Sequence, residues 1–276
     1  MSFPPKPSDR PLVMGIVNVT LDSFSDGGRY YTADTAIDHA LKLARDGADI
    51  LDIGGESTRP GAHPVDEADE IARISPVIRG IRQHSDITIS IDTMKPNVAQ
   101  AASRLGASIW NDVNALRAPG AVEMAAELGC AIVLMHMQGE PRTMQRSPQY
   151  EDVIDEVSDY LSRRAQIAIA AGVAKQNIWL DPGIGFGKML QHNLELLRNI
   201  LSLSRDFPVL IGASRKRFIG ELDPNASKDN RLGGSLYAAL HAAQQKAVCV
   251  RVHDVAETVQ ALRVRAAITG ECSDPA

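Results

Sequence analysis

Carboxylates, amides and cations recur at one kind of place in this sequence, directly after a short apolar run. Runs ending near Val17, Ile53, Ile91, Trp110, Met135, Leu180, Ile211 and Val252 lead into Asn18-Val-Thr, Gly54-Gly-Glu-Ser-Thr-Arg, Asp92-Thr, Asn111-Asp, His136, Asp181-Pro-Gly, Gly212-Ala-Ser-Arg-Lys and His253-Asp. Asp92, Asn111 and Asp181 offer an acceptor, a mixed donor and acceptor, and a second acceptor. That set suits a flat heterocycle carrying several N–H groups, and Asp181 can accept two parallel bonds from an amidine-like pair. It equally suits a buried network that braces strand ends, because buried polar groups must be paired. Asp52, one residue before its run ends, is read as a brace for the following loop, with the cavity as the other possibility.

The cations are local. Ser214-Arg-Lys216-Arg groups a hydroxyl with three positive charges in a chain of net charge −5. Arg251 and His253 alternate onto one side of the last apolar run, just before a helix N-terminus whose free N–H groups favour anions. Thr58 and Arg59 could reach the same anion; taken singly, each of these is an ordinary solvated side chain. Asn18 offers a neutral amide oxygen, a ligand type suited to Mg²⁺ held mostly by water and phosphate oxygens. The glycine-rich stretch Asp181-Pro-Gly-Ile-Gly-Phe-Gly-Lys188 is not a phosphate loop, since Met189 stands where Ser or Thr is needed.

Something must bring those groups together. The apolar runs are short and rich in β-branched residues, as strands of a parallel sheet buried on both faces are. Between them lie segments with apolar residues at helical spacing: 32–44, 65–81, a helix opened by Pro96, 119–129, 152–171, 193–203, 232–245 and 256–268. The order strand then helix, eight times, predicts a (β/α)8 TIM barrel. Chemistry at the C-terminal end of nearly every strand favours closure over an open doubly wound sheet, where it would concentrate at one switch point. Long connections after the first and second strands have the length of functional loops, and a lid is their expected use. Asp254 is expected to cap the last helix.

The chain has 276 residues, 44% hydrophobic and 23% charged, which fits one soluble α/β barrel domain spanning 1–276, with 1–10 and 271–276 expected as flexible ends. No apolar stretch approaches the ~20 residues of a membrane helix, and no signal core opens the chain, so the cytoplasm is the expected location. A pI near 5.8 and the lack of a basic stripe exclude a nucleic-acid partner. Three scattered cysteines, Cys130, Cys249 and Cys272, read as inert thiols. The histidines lack zinc-site spacing.

Eight strings together carry a resemblance: Met14-Gly-Ile-Val-Asn-Val-Thr-Leu-Asp-Ser-Phe-Ser-Asp-Gly-Gly28, Asp52-Ile-Gly-Gly-Glu-Ser-Thr-Arg-Pro-Gly61, Ser90-Ile-Asp-Thr-Met-Lys-Pro96, Asn111-Asp, Leu134-Met-His-Met-Gln-Gly139, Asp181 to Lys188, Ser214-Arg-Lys216 and Arg251-Val-His-Asp-Val255. In this order, over residues 12 to about 268, they resemble the dihydropteroate synthases of folate biosynthesis. The resemblance implies a transferase that joins 6-hydroxymethyl-7,8-dihydropterin diphosphate to p-aminobenzoate, releasing 7,8-dihydropteroate and pyrophosphate, with Mg²⁺ as cofactor and a homodimer as the usual assembly. It also implies a sulfonamide target. By the same resemblance Asp92, Asn111, Met135, Asp181, Phe186 and Lys216 hold the pterin. Asn18, Thr58, Arg251 and His253 take the pyrophosphate, with Asn18 on the metal. Phe24, Arg59, Pro60 and Ser214 border p-aminobenzoate, and Asp92, Lys216 and Arg251 are the catalytic candidates. Leu21 stands where the family commonly has Pro, which loosens the first loop. Chemistry favours departure of the diphosphate first, to a ring-stabilised methylene cation, with no covalent enzyme intermediate. Two other readings are a barrel that transfers methyl from a reduced folate and a silent pterin-binding paralogue; the Ser-Arg-Lys and Arg-Val-His strings argue against the first.

Overall fold

A computed structural model describes residues 10–19, 33–57, 63–140, 143–203, 205–227 and 230–271. Phe24, Thr58, Arg59 and Pro60, together with Leu21, lie outside the described residues. The strands are β1 (Leu12–Asn18), β2 (Ile50–Gly54), β3 (Thr88–Asp92), β4 (Ile109–Asp112), β5 (Ala131–Met135), β6 (Ile178–Asp181), β7 (Leu210–Ile211) and β8 (Cys249–Val252). The helices are α1 (Ala33–Arg45), α2 (Glu67–Arg82), α3 (Pro96–Arg104), α4 (Ala121–Leu128), α5 (Val153–Ala170), α6 (Leu190–Arg198), α7 (Ile200–Leu203), α8 (Arg217–Leu222), α9 (Leu232–Gln244) and α10 (Val255–Thr269).

All strand pairs are parallel, in the order β6-β5-β4-β3-β2-β1-β8-β7. The remaining seam, β6 to β7, is closed by a parallel bridge between Leu180 and Val209 and by Leu180 N–H donating to Pro208 O at 2.9 Å. The closed (β/α)8 barrel expected from the strand and helix order is what forms. The helices are more numerous than expected. The segment 193–203 is two helices, because Asn199 leaves helical geometry (φ −114°, ψ 24°) between α6 and α7. A short extra helix, α8, follows β7, where many barrels of this type insert one.

Local signals account for the helix boundaries. Pro96 occupies the first turn of α3, where its missing N–H costs nothing. Asp152 caps α5, its Oδ1 accepting from the N–H groups of Ile154 and Asp155 at 2.9 Å each. Left-handed glycines, Gly129 and Gly270, end α4 and α10. Asp254 does not cap α10 with its side chain. Instead it receives Arg215, Nε to Oδ2 at 3.0 Å and Nη2 to Oδ1 at 2.5 Å. At the ends of the described chain, Arg10 pairs with Asp49 and Glu271 with Arg265; the rest of the expected flexible ends, 1–9 and 272–276, lies outside the described residues.

Strand alternation builds the interior in layers. Leu12, Met14, Ile50, Ile109, Ala131, Val133, Trp179, Leu210 and Cys249 form an apolar floor inside the barrel. The intervening residues, such as Val13, Leu51, Ile89, Trp110 and Ile132, face outward into the larger core shared with the helices. Two residues past the floor, on the same inward side, stand Asp52, Asn111, Met135, Asp181, Gly212 and Arg251.

Candidate active site at the barrel mouth

That second layer makes a cavity bounded by Asp92, Asn111, Met135, Asp181, Phe186, Lys216 and Arg251, with Val113, Ile184 and Gly212 between them. The candidates for heterocycle binding therefore converge, although they come from β3, β4, β5, β6, β8 and the loops after β6 and β7. The cavity is about 30 Å³, which is about one water's share of volume.

Arg251 organises the floor of this cavity. Its Nε donates to Asp52 Oδ2 at 2.6 Å and its Nη2 to Asp92 Oδ2 at 2.7 Å. Asn111 Nδ2 donates to the same Asp52 oxygen at 3.1 Å. Asp52 is therefore no brace for the second loop. It sits fully buried in the barrel, because Ile50, Asp52 and Gly54 share the inward side of β2. Period-two alternation was the signal that could have placed it there.

Asp52 Oδ1 and Asp92 Oδ1 are buried and have no hydrogen-bond partner among the described residues. Orphaned buried acceptors are rare and point to a ligand that donates. Burial pushes the Asp92 carboxyl up to about 7, with Arg251 pulling down and Asp52, Glu70 and Asp112 pushing further up. Burial also raises Asp181, against the Gly183 N–H, Lys216 and Arg251. Burial opposes the charge on Arg251, but Asp52 and Asp92 outweigh it and raise its pKa.

Asp181 plays both roles that its position allowed. Its Oδ1 accepts from Gly183 N–H at 2.7 Å, bracing the loop, while the carboxyl still bounds the cavity. Neighbouring Asn111 and Asp112 divide the labour by alternation. Asn111 faces in, whereas Asp112 accepts from the N–H groups of Asn114 and Leu116 at 2.7 Å each. That pins a turn in which Ala115 and Leu116 have positive φ. Phe186 forms one side of the cavity, with Lys216 Nζ over its ring at 4.1 Å.

The three cations after β7 do not act as one cluster. Arg215 pairs with Asp254, Lys216 enters the cavity, and exposed Arg217 pairs with Glu221 one turn on. Alternation and the turn at Arg215 (φ 56°) separate them. Ser214 and His253 meet beside the cavity, Ser214 Oγ lying 3.1 Å from His253 Nδ1 and accepting from His253 N–H at 3.2 Å. Asn18 ends β1 half-buried, in register with Gly54. Among the described residues, no group of three or more His, Cys, Asp or Glu could hold a metal.

Residues that sequence reading passed over support the Asp181–Lys188 loop. Gly185 N–H donates to Asn193 Oδ1 at 2.7 Å, Gln145 donates to Gly185 O, and Tyr150 O–H donates to Gly187 O at 2.7 Å. A larger open cleft of about 860 Å³, edged by Tyr150, Glu151, Asp152, Asp155, Glu156 and His192, shares no residue with the mouth and contains no lysine or arginine.

The family model described as "Pterin binding enzyme" matches residues 14–253. The dihydropteroate synthase of Escherichia coli (strain K12) is 49% identical over 255 residues, covering 92% of this chain and 90% of that protein. That of Neisseria meningitidis serogroup B (strain ATCC BAA-335 / MC58) is 51% identical over 263 residues, covering 93% and 92%. The Xanthomonas albilineans dihydropteroate synthase in complex with 4-aminobenzoic acid superposes with a TM-score of 0.89 at 48% identity, and its complex with 7,8-dihydropteroate with 0.86 at 46%. Both superpositions cover 97% of this chain and 95% of the other.

Proposed function

This chain belongs to the dihydropteroate synthase family of pterin-binding enzymes, and from that premise we propose that its mouth joins 6-hydroxymethyl-7,8-dihydropterin diphosphate to p-aminobenzoate. The observation that carries the proposal is the convergence of Asp92, Asn111 and Asp181 from three strands, with an orphaned carboxylate oxygen on Asp92, beside Phe186 and Lys216. This is a donor-seeking, partly aromatic pocket of the kind a reduced pterin fills. The Xanthomonas complexes hold the amine substrate in one case and the condensed product in the other.

The reaction breaks the bond between the pterin methylene carbon and the diphosphate oxygen, whose electron pair leaves with pyrophosphate. The cation left behind is delocalised into the electron-rich ring. Asp92, on the cavity wall, is placed to stabilise that cation electrostatically once its carboxyl has lost its proton. Entry of the pterin frees Arg251 to follow the departing diphosphate, with His253 and Thr58 as further donors. The arylamine, already neutral at pH 7, attacks the carbon with its nitrogen lone pair, and its proton passes to the released pyrophosphate or to water; no strong general base is needed. Ser214, Phe24, Arg59 and Pro60 border that amine, and sulfonamides would compete for the same place.

The neutral amide oxygen of Asn18, at the end of β1, fits a hard cation whose other ligands are substrate and water oxygens. Asn18 would hold Mg²⁺ there; when bound, the ion supplies positive charge to the leaving diphosphate. Among the described residues no helix is long and apolar enough to cross a membrane, and the reading is of a cytoplasmic enzyme. A homodimer is supported by an apolar cleft between α6, α8 and α9 rimmed by exposed Leu222 and Tyr237, and sedimentation would test it.

One assay tests the function. With pterin diphosphate, p-aminobenzoate and Mg²⁺, the protein should release pyrophosphate at a rate that rises with the amine. No release would leave the methyl-transfer and silent pterin-binding readings.

A further inference from the structure

Lys188 ends the glycine-rich loop after β6 and is only 3% exposed. It does not bound the cavity. Its Nζ donates to Phe186 O at 2.9 Å, lies 2.9 Å from His136 Nδ1 and reaches His136 O at 3.4 Å. An ammonium has three N–H groups, and three acceptors meet them. Burial, then Lys216, pull Lys188 down to about 7, with Asp181 pulling upward. Burial and Lys188 together hold His136 neutral, its pKa lowered to about 2. A neutral His136 leaves Nδ1 free to accept while Nε2 carries the proton.

The loop has little freedom of its own to keep Phe186 in place. Gly183, Gly185 and Gly187 all have positive φ. A Cβ at Gly183 would stand 2.0 Å from His136 O, and one at Gly187 2.6 Å from Gln138 O. A chain so bent is held by what grips its carbonyls. The carbonyl of Phe186 itself, the one residue of the loop with an aromatic face in the cavity, is gripped by Lys188. Across that ring lies Lys216.

We propose that Lys188 is a positioning residue for pterin binding: it ties the loop after β6 to His136 and so holds the Phe186 ring as a fixed shelf against Lys216. A methionine of similar size would be easier to bury, so the ammonium is explained by the bonds it makes. The inference rests on the pterin reading of the mouth and deepens it, because it assigns the affinity of one substrate to a residue that does not touch it.

The test is a double-mutant cycle on the full-length enzyme. Lys188→Met should raise the KM for the pterin diphosphate about tenfold, leaving the p-aminobenzoate KM within about twofold and kcat within about threefold. Phe186→Leu alone should raise the same pterin KM. In the Phe186→Leu background, Lys188→Met should add little, because the lysine acts through that ring. Additive effects, an equal rise in both KM values, or an unchanged pterin KM in a folded Lys188→Met protein would overturn the proposal. Lys188→Gln, which keeps two donors, should restore part of the pterin affinity. A variant-free arm follows the ¹³Cε resonance of Lys188 in the wild-type protein. It should move when pterin diphosphate binds and stay still with p-aminobenzoate alone; no movement with the pterin overturns the idea even if every variant fails to fold. Loss of amine-dependent pyrophosphate release by the wild type would instead end the pterin reading itself, so the two failures are distinguishable.

Discussion

The floor and the mouth of this barrel are built from the same strands, two residues apart. Ile50 gives way to Asp52, Ile109 to Asn111, Trp179 to Asp181 and Cys249 to Arg251. At the floor any well-fitting apolar side chain serves, because dispersion and burial have no direction. At the mouth a buried charge requires a partner of matching geometry, and Arg251 serves Asp52 and Asp92 together. One step along the strand axis thus separates the groups that hold the barrel shut from those that react. The mouth is the less comfortable layer, with orphaned oxygens on Asp52 and Asp92 and a carboxyl held near neutrality.

That comparison can be broken from either end. The largest effect is expected at Asp92. Asp92→Asn keeps the shape and should lower turnover by at least about 100-fold, the scale of one fixed electrostatic contact in a transition state, while the melting temperature stays within a few degrees. Steady-state rates beside a thermal melt decide it; near-normal turnover would remove Asp92 from the chemistry. Ile109→Ala reverses the pattern. Stability should fall by about 3 kcal/mol, as expected for emptying a buried site, and urea titration measures it. Both KM values should be unchanged, and a shift in the pterin KM would show that floor and mouth are not separable.

Lys216→Met probes the mouth more gently. It removes the cation over Phe186, and the pterin KM should rise roughly tenfold, or about 1.4 kcal/mol. Isothermal titration with the pterin alone would check it, and unchanged affinity would return Lys216 to a structural role. The smallest effect is a slope. Asp92 has its folded pKa raised from 3.8 to about 7, so the folded protein binds the extra proton between those values. The stability this contributes is fully present below about pH 4 and is lost as pH rises through about 7. Urea midpoints at pH 5 to 8 should fall with rising pH more steeply in the wild type than in Asp92→Asn, which cannot titrate. Parallel slopes would mean that Asp92 does not carry the proton.

Much of this was legible in the linear chain. Asp92, Asn111 and Asp181 stood at the ends of apolar runs and do share one cavity. Asp52 was misplaced because its acidity next to a polar loop outweighed the simpler fact of its alternation with Ile50. Asp254 has the look of a helix cap and instead holds Arg215, since a cap is only one of the partners a half-buried carboxylate can find. Arg215 and Lys216 read as parts of one anion site, yet a turn sends Lys216 inward and Arg215 to Asp254.

What the sequence determined by itself was periodic and local: eight apolar runs, the helices between them, and which residue types stand where each run stops. Periodicity survives in a string because it depends only on neighbours a few residues apart. What only the tertiary structure decided was pairing. Arg251 meets Asp52 and Asp92 from 199 and 159 residues away, and Lys188 meets His136 from 52. Those contacts exist because the sheet closes on itself and buries charges that must then find partners, and no local pattern records which partner lies across a barrel.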